Sequence, residues 1–389
     1  MARPPEEPKQ QDRDERGARS HGWARPNLGP RGKGLARGIL AAMTPEIRPT
    51  TADDLDELSR FLTEGFHAPR DAEFAAPDVL AWKYLEPIGR DATPRSLVAI
   101  EGGRVVGHVG IYATSFEGGG LPDGGVTTLH MIDWLGSREH RSLGSSLMRK
   151  AHEQGETQFV LVANEQARRV TKAAGYASRG DIPVFRKVLR PSHRLRAPGQ
   201  GGVGKVLRMA NDLASMMLKP GRRPEAHVVL RRVEAFGEET RPIVDAVRRR
   251  AAMSSRDPDR LNHMLRYPRE GMSGWQILDE PRGRVVGLAI LNVVRQDRIQ
   301  AGKVVECLLE DASPAPWHAA AMALAAELRT QGADYAVGFG GSSWMATALR
   351  DSGFVATHNL ELTLRDRGHL IPEETALHLS PFEADYAYI

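Results

Sequence analysis

The chain has 389 residues, enough for two domains, and its 41% apolar and 26% charged content is typical of a globular protein. Residues 1–43 carry nine Lys or Arg and five Asp or Glu, which accounts for the whole formal charge of +4. The remainder is neutral, so no nucleic-acid partner is expected. A single cysteine, Cys307, excludes a disulfide framework and a Cys-ligated zinc site; we expect no metal and a cytoplasmic location.

The first 43 residues are rich in Pro, Gly, Arg, Gln and Glu and show little apolar periodicity. We expect them to form a disordered extension, or to lie upstream of a translation start at Met43. From residue 44 to residue 190 the pattern predicts a strand, two helices, three strands, a helix, a strand, a helix and a last strand. The hairpin within the three strands should turn at Glu101-Gly102-Gly103.

A basic linker follows at residues 191–225. Residues 186–223 hold ten Lys or Arg against one acid, Asp212. One helical face of the stretch "GKVLRMANDLASMMLK" carries Val206, Met209, Leu213, Met216 and Met217. We expect this stripe to pack between the two flanking domains; the alternative is a weak contact of residues 203–219 with an anionic membrane surface.

The remaining residues, 226–389, repeat landmarks of the first domain. "RDPDRLNHMLRYP" echoes "AAPDVLAWKYLEP", "GRVVGLAIL" echoes "GRVVGHVGI", "KVVECLL" echoes "LHMIDWL", and "ATALRDSGF" echoes "RVTKAAGY". The four pairs occur in the same order at nearly constant separation. They predict a tandem duplication of one fold, because the period is far too long for a solenoid.

The stretch "DWLGSREHRSLGSSLM" carries the main functional signal, since a strand leads through a short loop into a helix. Backbone amides at a helix N-terminus are unpaired, and with the helix dipole they attract anions. Gly144 and the small Ser145 and Ser146 let a ligand approach the backbone, and Arg141 adds a charge at the rim. The pattern therefore predicts a phosphate site at the start of this helix.

These motifs resemble the GCN5-related N-acetyltransferase (GNAT) family, whose acetyl-CoA loop reads R/Q-x-x-G-x-G/A. That loop stands here as Arg141, Ser142, Leu143, Gly144, Ser145 and Ser146. A second family motif matches at Asn164, Ala167, Gly175 and Tyr176. The resemblance covers residues 44–190 well and the second half only as a degenerate copy that has lost the loop.

The resemblance implies an α/β (α+β) fold class with two tandem GNAT-like domains, each a mixed, mostly antiparallel sheet flanked by helices. Residues 44–190 would be the CoA-binding domain and residues 226–389 a degenerate domain. Acetyl-CoA would be the cosubstrate. Its pyrophosphate would bind the loop amides, its pantetheine would pair with backbone near Leu135 and Gly136, and Asn164 would lie in the same site.

Direct acyl transfer to an amine needs a base, because the acceptor is mostly an ammonium near neutral pH. His130 and Asp133, on the strand beside the expected thioester, are the candidates. Thr171 stands where many family members have a tyrosine as general acid, and we expect its hydroxyl only to hydrogen-bond the sulfur. Each residue also has a structural alternative: His130 as a buried strand residue, and Asp133 as a bulge cap or the partner of an arginine.

The sequence thus predicts an acetyl-CoA-dependent N-acyltransferase that acts on an amino sugar, a small metabolite or a protein. The alternative is a non-catalytic acyl-CoA-binding or interaction protein built on the same fold, which the missing tyrosine favours. Aminoacyl transfer to cell-wall precursors is a third reading, but the neutral folded body argues against a tRNA partner.

Overall fold

One mixed sheet runs through both halves of the chain. The structure is a computed structural model, and it describes residues 44–88, 95–163, 165–196, 202–218, 221–280, 282–296, 298–383 and 385–388. The N-terminal extension predicted at residues 1–43 lies outside these residues. Residues 44–389 form one compact unit, so the predicted domain boundaries within it stay a prediction.

The first half has the element order that the sequence predicts. The hairpin turns at Gly102 and Gly103, whose φ angles of 56° and 77° lie in the left-handed region that favours glycine. The elements are β1 (Glu46–Pro49), α1 (Leu55–Gly65), α2 (Pro77–Tyr84), β2 (Ser96–Glu101), β3 (Arg104–Gly118), β4 (Val126–Gly136), α3 (Leu143–His152), β5 (Thr157–Val162), α4 (Glu165–Ala173) and β6 (Ala177–Val188).

The linker contains two helices, α5 (His193–Arg196) and α6 (Gly202–Leu218). The amphipathic helix is therefore confirmed, but the expected burial is wrong for Val206 and Leu213; the side chains of Met216 and Met217 lie outside the described ones. Val206 and Leu213 are 51% and 45% exposed, because the helix contacts the protein through its opposite, polar face. No described helix is both long and apolar enough to cross a membrane.

The second half follows a similar course, with one additional short strand. Its elements are β7 (Val228–Val233), α7 (Arg241–Arg248), β8 (Ala252–Ser254), α8 (Pro258–Leu265), β9 (Ser273–Asp279), β10 (Arg284–Gln296), β11 (Ile299–Leu309), α9 (Pro314–Thr330), β12 (Tyr335–Phe339), α10 (Ser343–Asp351) and β13 (Val355–Asp366).

The two halves exchange their last strands. The sheet order is β1-β2-β3-β4-β5-β13-β6-β12-β11-β10-β9-β7, and β8 pairs with β3. The final strand of the chain, β13, is antiparallel to β5 of the first half, whereas β6 is antiparallel to β12 of the second. Strands β6 and β13 pair with each other at the centre. The exchange makes each half complete only in the presence of the other.

The halves also share a hydrophobic core. Trp82 and Val79 of α2 pack with apolar side chains of α7, α8, β10 and β11. The Trp82 Nε1 atom donates a 2.9 Å hydrogen bond to the His263 carbonyl of α8, and the two rings stack with centroids 4.8 Å apart. Helices α2 and α8 therefore meet beside β4, which places residues of both halves around the site described next.

Candidate active site

Strands β4 and β5 separate partway along their length. They pair in parallel from Thr128 opposite Thr157 to His130 opposite Phe159. Beyond His130, β4 continues to Gly136 beside β3, and β5 continues beside β13. No further pair joins β4 to β5 in the described part of the chain, so a gap opens between them with backbone groups along its edge.

The end of β4 lies against the first turn of α3. A Cβ atom on Gly136 would lie 3.0 Å from the Gly144 nitrogen, so a larger residue there would push strand and helix apart. A Cβ on Gly144 would lie 3.4 Å from the Trp134 ring, which is an ordinary contact. The Trp134 Nε1 atom donates a 3.0 Å hydrogen bond to the Gly144 carbonyl. Glycine at position 136 thus holds the helix start at the mouth of the gap.

The start of α3 has the features predicted for an anion site. Leu143 is buried and anchors the first turn on the sheet, whereas Arg141, Ser142 and Ser145 are exposed. The Ser142 side chain does not cap the helix. The first-turn amides of Gly144 and Ser145 have no partner within the helix, so they and the positive end of the helix dipole can bind an anion. The residues predicted for the CoA loop lie together.

Asp133 lies in a buried charged network at a bulge of β4. Its φ angle is 46°, and its carboxylate accepts hydrogen bonds of 2.5 Å from Lys83 Nζ and from Tyr84 Oη. Burial opposes the charged carboxylate, but the Lys83 charge and the hydrogen bonds from Lys83 and Tyr84 together outweigh it and lower the pKa of Asp133. The structural alternative considered for Asp133, a bulge residue paired with a cation, matches this geometry with lysine in place of arginine.

His130 is buried on the same strand and faces the β5 side. Its ring stacks on Phe159 with centroids 4.4 Å apart and an interplanar angle of 5°. Burial and the nearby Lys83 charge lower the pKa of His130 to about 3. A second buried histidine, His108, bonds through Nδ1 to the Asp133 carbonyl at 2.9 Å, and burial lowers its pKa to about 4. Both imidazoles are neutral at pH 7.

Thr171 lies on α4 away from free solvent. Its hydroxyl donates to the carbonyls of Ala167 and Arg168, both at 3.1 Å, within its own helix. That donation leaves the proton engaged with the helix backbone. Asn164, the remaining predicted cofactor residue, lies outside the described residues.

A small pocket lies beside His130, where the two halves meet. It encloses about 380 Å³ of atom-free space, part of it open to solvent. Its walls include Trp82, Tyr112, His130, Glu383, Asp385 and Tyr388. The C-terminal segment, residues 367–388, supplies the last three of these side chains. An acceptor reaching the end of the β4–β5 gap would meet aromatic rings and carboxylates here.

Asp385 completes the charged network on the pocket side. It lies 3.1 Å from Lys83 Nζ and accepts a 2.6 Å hydrogen bond from Tyr388 Oη. Burial and the neighbouring Asp133 carboxylate raise the pKa of Asp385, although Lys83 acts against them. Two carboxylates thus share one ammonium, and the one that lines the pocket is the more basic.

Lys83 and Asp385 were not among the site residues predicted from the sequence. Lys83 stands in the otherwise apolar run "VLAWKYL", which was a signal for a buried cation. The stretch "PFEADYAYI" mixes acids with aromatic residues near the C-terminal end of the sequence. Nothing local links that stretch to β4, however, because the contact depends on how the whole chain folds.

The corresponding gap of the second half is crossed by the chain itself. Strands β11 and β12 pair in parallel only from Ala301 to Lys303 among the described residues. His378 spans the opening: it lies 3.3 Å from Glu306 on β11 and 3.2 Å from Ser342 beyond β12. A Cβ on Gly341 would lie 1.8 Å from the Leu379 carbonyl, so the segment is packed tightly against the opening.

Glu306 is sealed beneath that segment. Arg256 donates to it at 2.5 Å and Ser380 at 3.0 Å, and Glu383 pairs with the same arginine. Burial opposes the Glu306 charge, but Arg256 and His378 lower its pKa to about 2. No group of three or more His, Cys, Asp or Glu side chains in the described ranges is arranged to hold a metal ion.

Comparisons with known proteins show one family match and several similar folds. The profile of the Acetyltransferase (GNAT) family matches residues 55–176. No curated protein matches the sequence. Solved structures are similar in fold at low sequence identity, so this similarity supports the fold alone.

A GCN5-related N-acetyltransferase from Anabaena variabilis is 13% identical with a TM-score of 0.54, covering 83% of this chain and 72% of its own. A putative acetyltransferase from Pyrococcus horikoshii is 11% identical with a TM-score of 0.53, covering 92% and 100%. Saccharomyces cerevisiae N-myristoyltransferase with bound myristoyl-CoA is 12% identical with a TM-score of 0.56, covering 90% of each chain. Residues 55–176 of this chain are therefore similar in sequence to the Acetyltransferase (GNAT) family, and the chain as a whole is similar in fold to these solved structures.

Proposed function

We propose that this protein is an acyl-CoA-dependent N-acyltransferase, with acetyl-CoA as its cosubstrate and an amine as its acceptor. The observation that carries the proposal is the opening of β4 from β5, which has the start of α3 beside its Gly136 end and the pocket beside His130 at its other end. The CoA pyrophosphate would lie on the α3 amides of Gly144 and Ser145 with Arg141 at the rim. The pantetheine would follow the backbone of Leu135 and Gly136 and carry the thioester toward His130.

The pocket walls suit a cationic amine. The Trp82, Tyr112 and Tyr388 rings can face an ammonium group, and the Asp385 carboxylate can pair with it. In the reaction the neutral amine nitrogen bonds to the acyl carbon, the carbon–sulfur bond breaks, and the CoA thiolate takes up the proton that the nitrogen loses as it becomes an amide. The ammonium must first lose a proton to a base.

Asp385 fits the role of that base better than the two residues that the sequence singles out. His130, with a pKa lowered to about 3, is a weak base, and Asp133 is committed to Lys83 and Tyr84. Asp385 lines the pocket and has a raised pKa. His130 and Asp133 remain proposed site residues as the wall and the support of the network. Thr171 gives its proton to its own helix, so we assign it no proton transfer.

Thiol release from acetyl-CoA over a panel of amino sugars, small amines and peptide N-termini tests the proposal. We expect release with at least one amine class, together with a matching acylated product. The same assay on Gly144→Glu should show no release above background. An absence of acetyl-CoA binding by the wild-type chain would overturn the proposal.

A second function, acyl-CoA binding without turnover, is favoured by one observation. The polar side chains predicted to act on the thioester are already engaged: Asp133 with Lys83, and Thr171 with its helix. Tight acetyl-CoA binding with no thiol release across the panel would support this function against catalysis.

A further inference from the structure

Five of the nine large apolar side chains that are exposed in the described residues lie in one stretch of the linker: Leu195, Val203, Val206, Leu207 and Leu213. Val203 and Leu207 are the most exposed of all nine, at 77% and 66%. Single exposed apolar residues are ordinary on a protein surface, but a contiguous group marks a binding surface.

Helix α6 is turned so that its apolar face points away from the protein. At 100° per residue, Asp212 lies on the opposite side of the helix from Val203. Asp212 is buried and pairs with Arg194 of α5 at 2.7 Å. Lys205 donates to the Leu195 carbonyl at 3.3 Å. The helix is therefore attached through its polar side, the reverse of an ordinary surface helix.

The charge around this face is positive. Residues 186–223 contain ten Lys or Arg and a single acid, and that acid, Asp212, is neutralised by Arg194. Arg208 of α6 and Arg222 and Arg223 beyond it are exposed. An apolar stripe bordered by basic side chains fits a surface that has hydrocarbon beneath a layer of negative charge.

We infer that α6 lies on the surface of an anionic phospholipid membrane, with Val203, Val206, Leu207 and Leu213 inserted at the boundary between headgroups and acyl chains. A second copy of the chain would bring its own basic residues against these, so like charges would oppose that contact. Residues 1–43 of the same chain are also basic, with nine Lys or Arg and five Asp or Glu, so like charges would oppose their binding to this face as well. Nucleic acid would satisfy the charge but not the Leu and Val side chains.

Cosedimentation of the full chain with sucrose-loaded vesicles tests the inference. We expect binding to vesicles of phosphatidylglycerol and phosphatidylcholine, little binding to phosphatidylcholine alone, and release at about 1 M salt, where charges are screened within about 3 Å. Leu207→Glu should weaken the binding by about tenfold or more, since the buried leucine contact is lost and a negative charge is added.

Val229→Glu is the matched control, because Val229 on β7 is also exposed, at 47%. It should leave vesicle binding within about twofold, and circular dichroism should show both variants folded. Three results would overturn the inference: no binding to anionic vesicles, an equal loss in Val229→Glu, or equal binding to neutral vesicles at all salt concentrations. A wild-type dimer that Leu207→Glu converts to a monomer, without vesicle binding, would assign the face to a second copy instead.

Discussion

The two strand gaps of the molecule differ in what fills them. The gap between β4 and β5 has the start of α3 at one end and a pocket at the other, whereas the gap between β11 and β12 is crossed by His378 and Ser380. Gly136 allows strand and helix to approach closely in the first half. In the second half α9 begins with Pro314, and its first turns bury Trp317 and Ala319. A shared strand arrangement therefore does not make both halves binding sites.

The acids on the two gaps show the same contrast. Asp133 of β4 and Glu306 of β11 both lie beyond the paired part of their strands and each binds a buried cation. Asp133 shares Lys83 with Asp385, which reaches the pocket. Glu306 is enclosed by Arg256, His378 and Ser380. One network is placed to act on a ligand, and the other joins the C-terminal segment to the sheet.

Breaking the network of Glu306 with Arg256, His378 and Ser380 should have the largest effect on stability. Glu306→Gln leaves Arg256 with one carboxylate in a fully buried place, and we expect a loss of about 3–5 kcal/mol in the free energy of unfolding. Asp133→Asn should cost less, about 1–3 kcal/mol, because Lys83 keeps Asp385, whose side chain is 19% exposed, whereas the Glu383 left to Arg256 is buried. Urea unfolding of both variants checks the order, and the reverse order would contradict the structural role given to Glu306.

Gly144→Glu should weaken acetyl-CoA binding by about 100-fold or more, since a carboxylate beside the α3 amides would repel the pyrophosphate. The fold should survive, because a Cβ there makes an ordinary contact with Trp134. Ala315→Glu, at the second residue of α9, is the matched change in the second half and should leave affinity unchanged. Calorimetric titration of both variants gives the comparison, and similar losses in the two would remove the distinction between the gaps.

Asp385→Asn should lower kcat/KM by about 100-fold while acetyl-CoA affinity stays the same. Because burial raises the pKa of Asp385, activity should rise with pH through a limb above the ordinary range of aspartate, and the variant should lose that limb. Glu374→Gln, an exposed acid on the same C-terminal segment, is the control. A limb that persists in Asp385→Asn would assign the proton to another group and return His130 and Asp133 to consideration.

A pH-dependent effect should appear on acidification, because His130 and His263 line the pocket with pKa values lowered to about 3, mainly by burial. In the unfolded chain these two histidines take up protons below about pH 6.5, whereas in the folded chain they stay neutral until the pH approaches 3. The free energy of unfolding should therefore fall as pH drops from 6.5, by up to about 1.4 kcal/mol per pH unit for each histidine. Urea unfolding should show a shallower pH dependence in His263→Phe and no change in the exposed-site control His227→Phe.

The secondary structure of the first half could be predicted because it depends on patterns among neighbouring residues. The element order, the hairpin at Gly102 and the strand–loop–helix around Gly144 all depend on neighbouring residues, and the structure confirms them. The mixed sheet flanked by helices is confirmed as well. The roles of the site residues stay predictions.

Features that depend on contacts between distant parts of the chain could not be predicted from local sequence patterns. Lys83 meets Asp385 from the other end of the chain, and β13 reaches β5 across the whole second half. Periodicity identified α6 as amphipathic but carries no information on which way the helix faces. That direction was fixed by the Asp212–Arg194 pair, and the expected packing was wrong for the described Val and Leu side chains of the stripe.

The stoichiometry of acetyl-CoA binding tests the difference between the two gaps most directly. Calorimetric titration of the wild-type chain should give one acetyl-CoA per chain, because among the described residues only the gap between β4 and β5 ends at exposed helix amides. The site should be lost in Gly144→Glu and kept in Ala315→Glu. Two acetyl-CoA molecules per chain, or one that persists in Gly144→Glu, would place a CoA site in the second half and contradict the account.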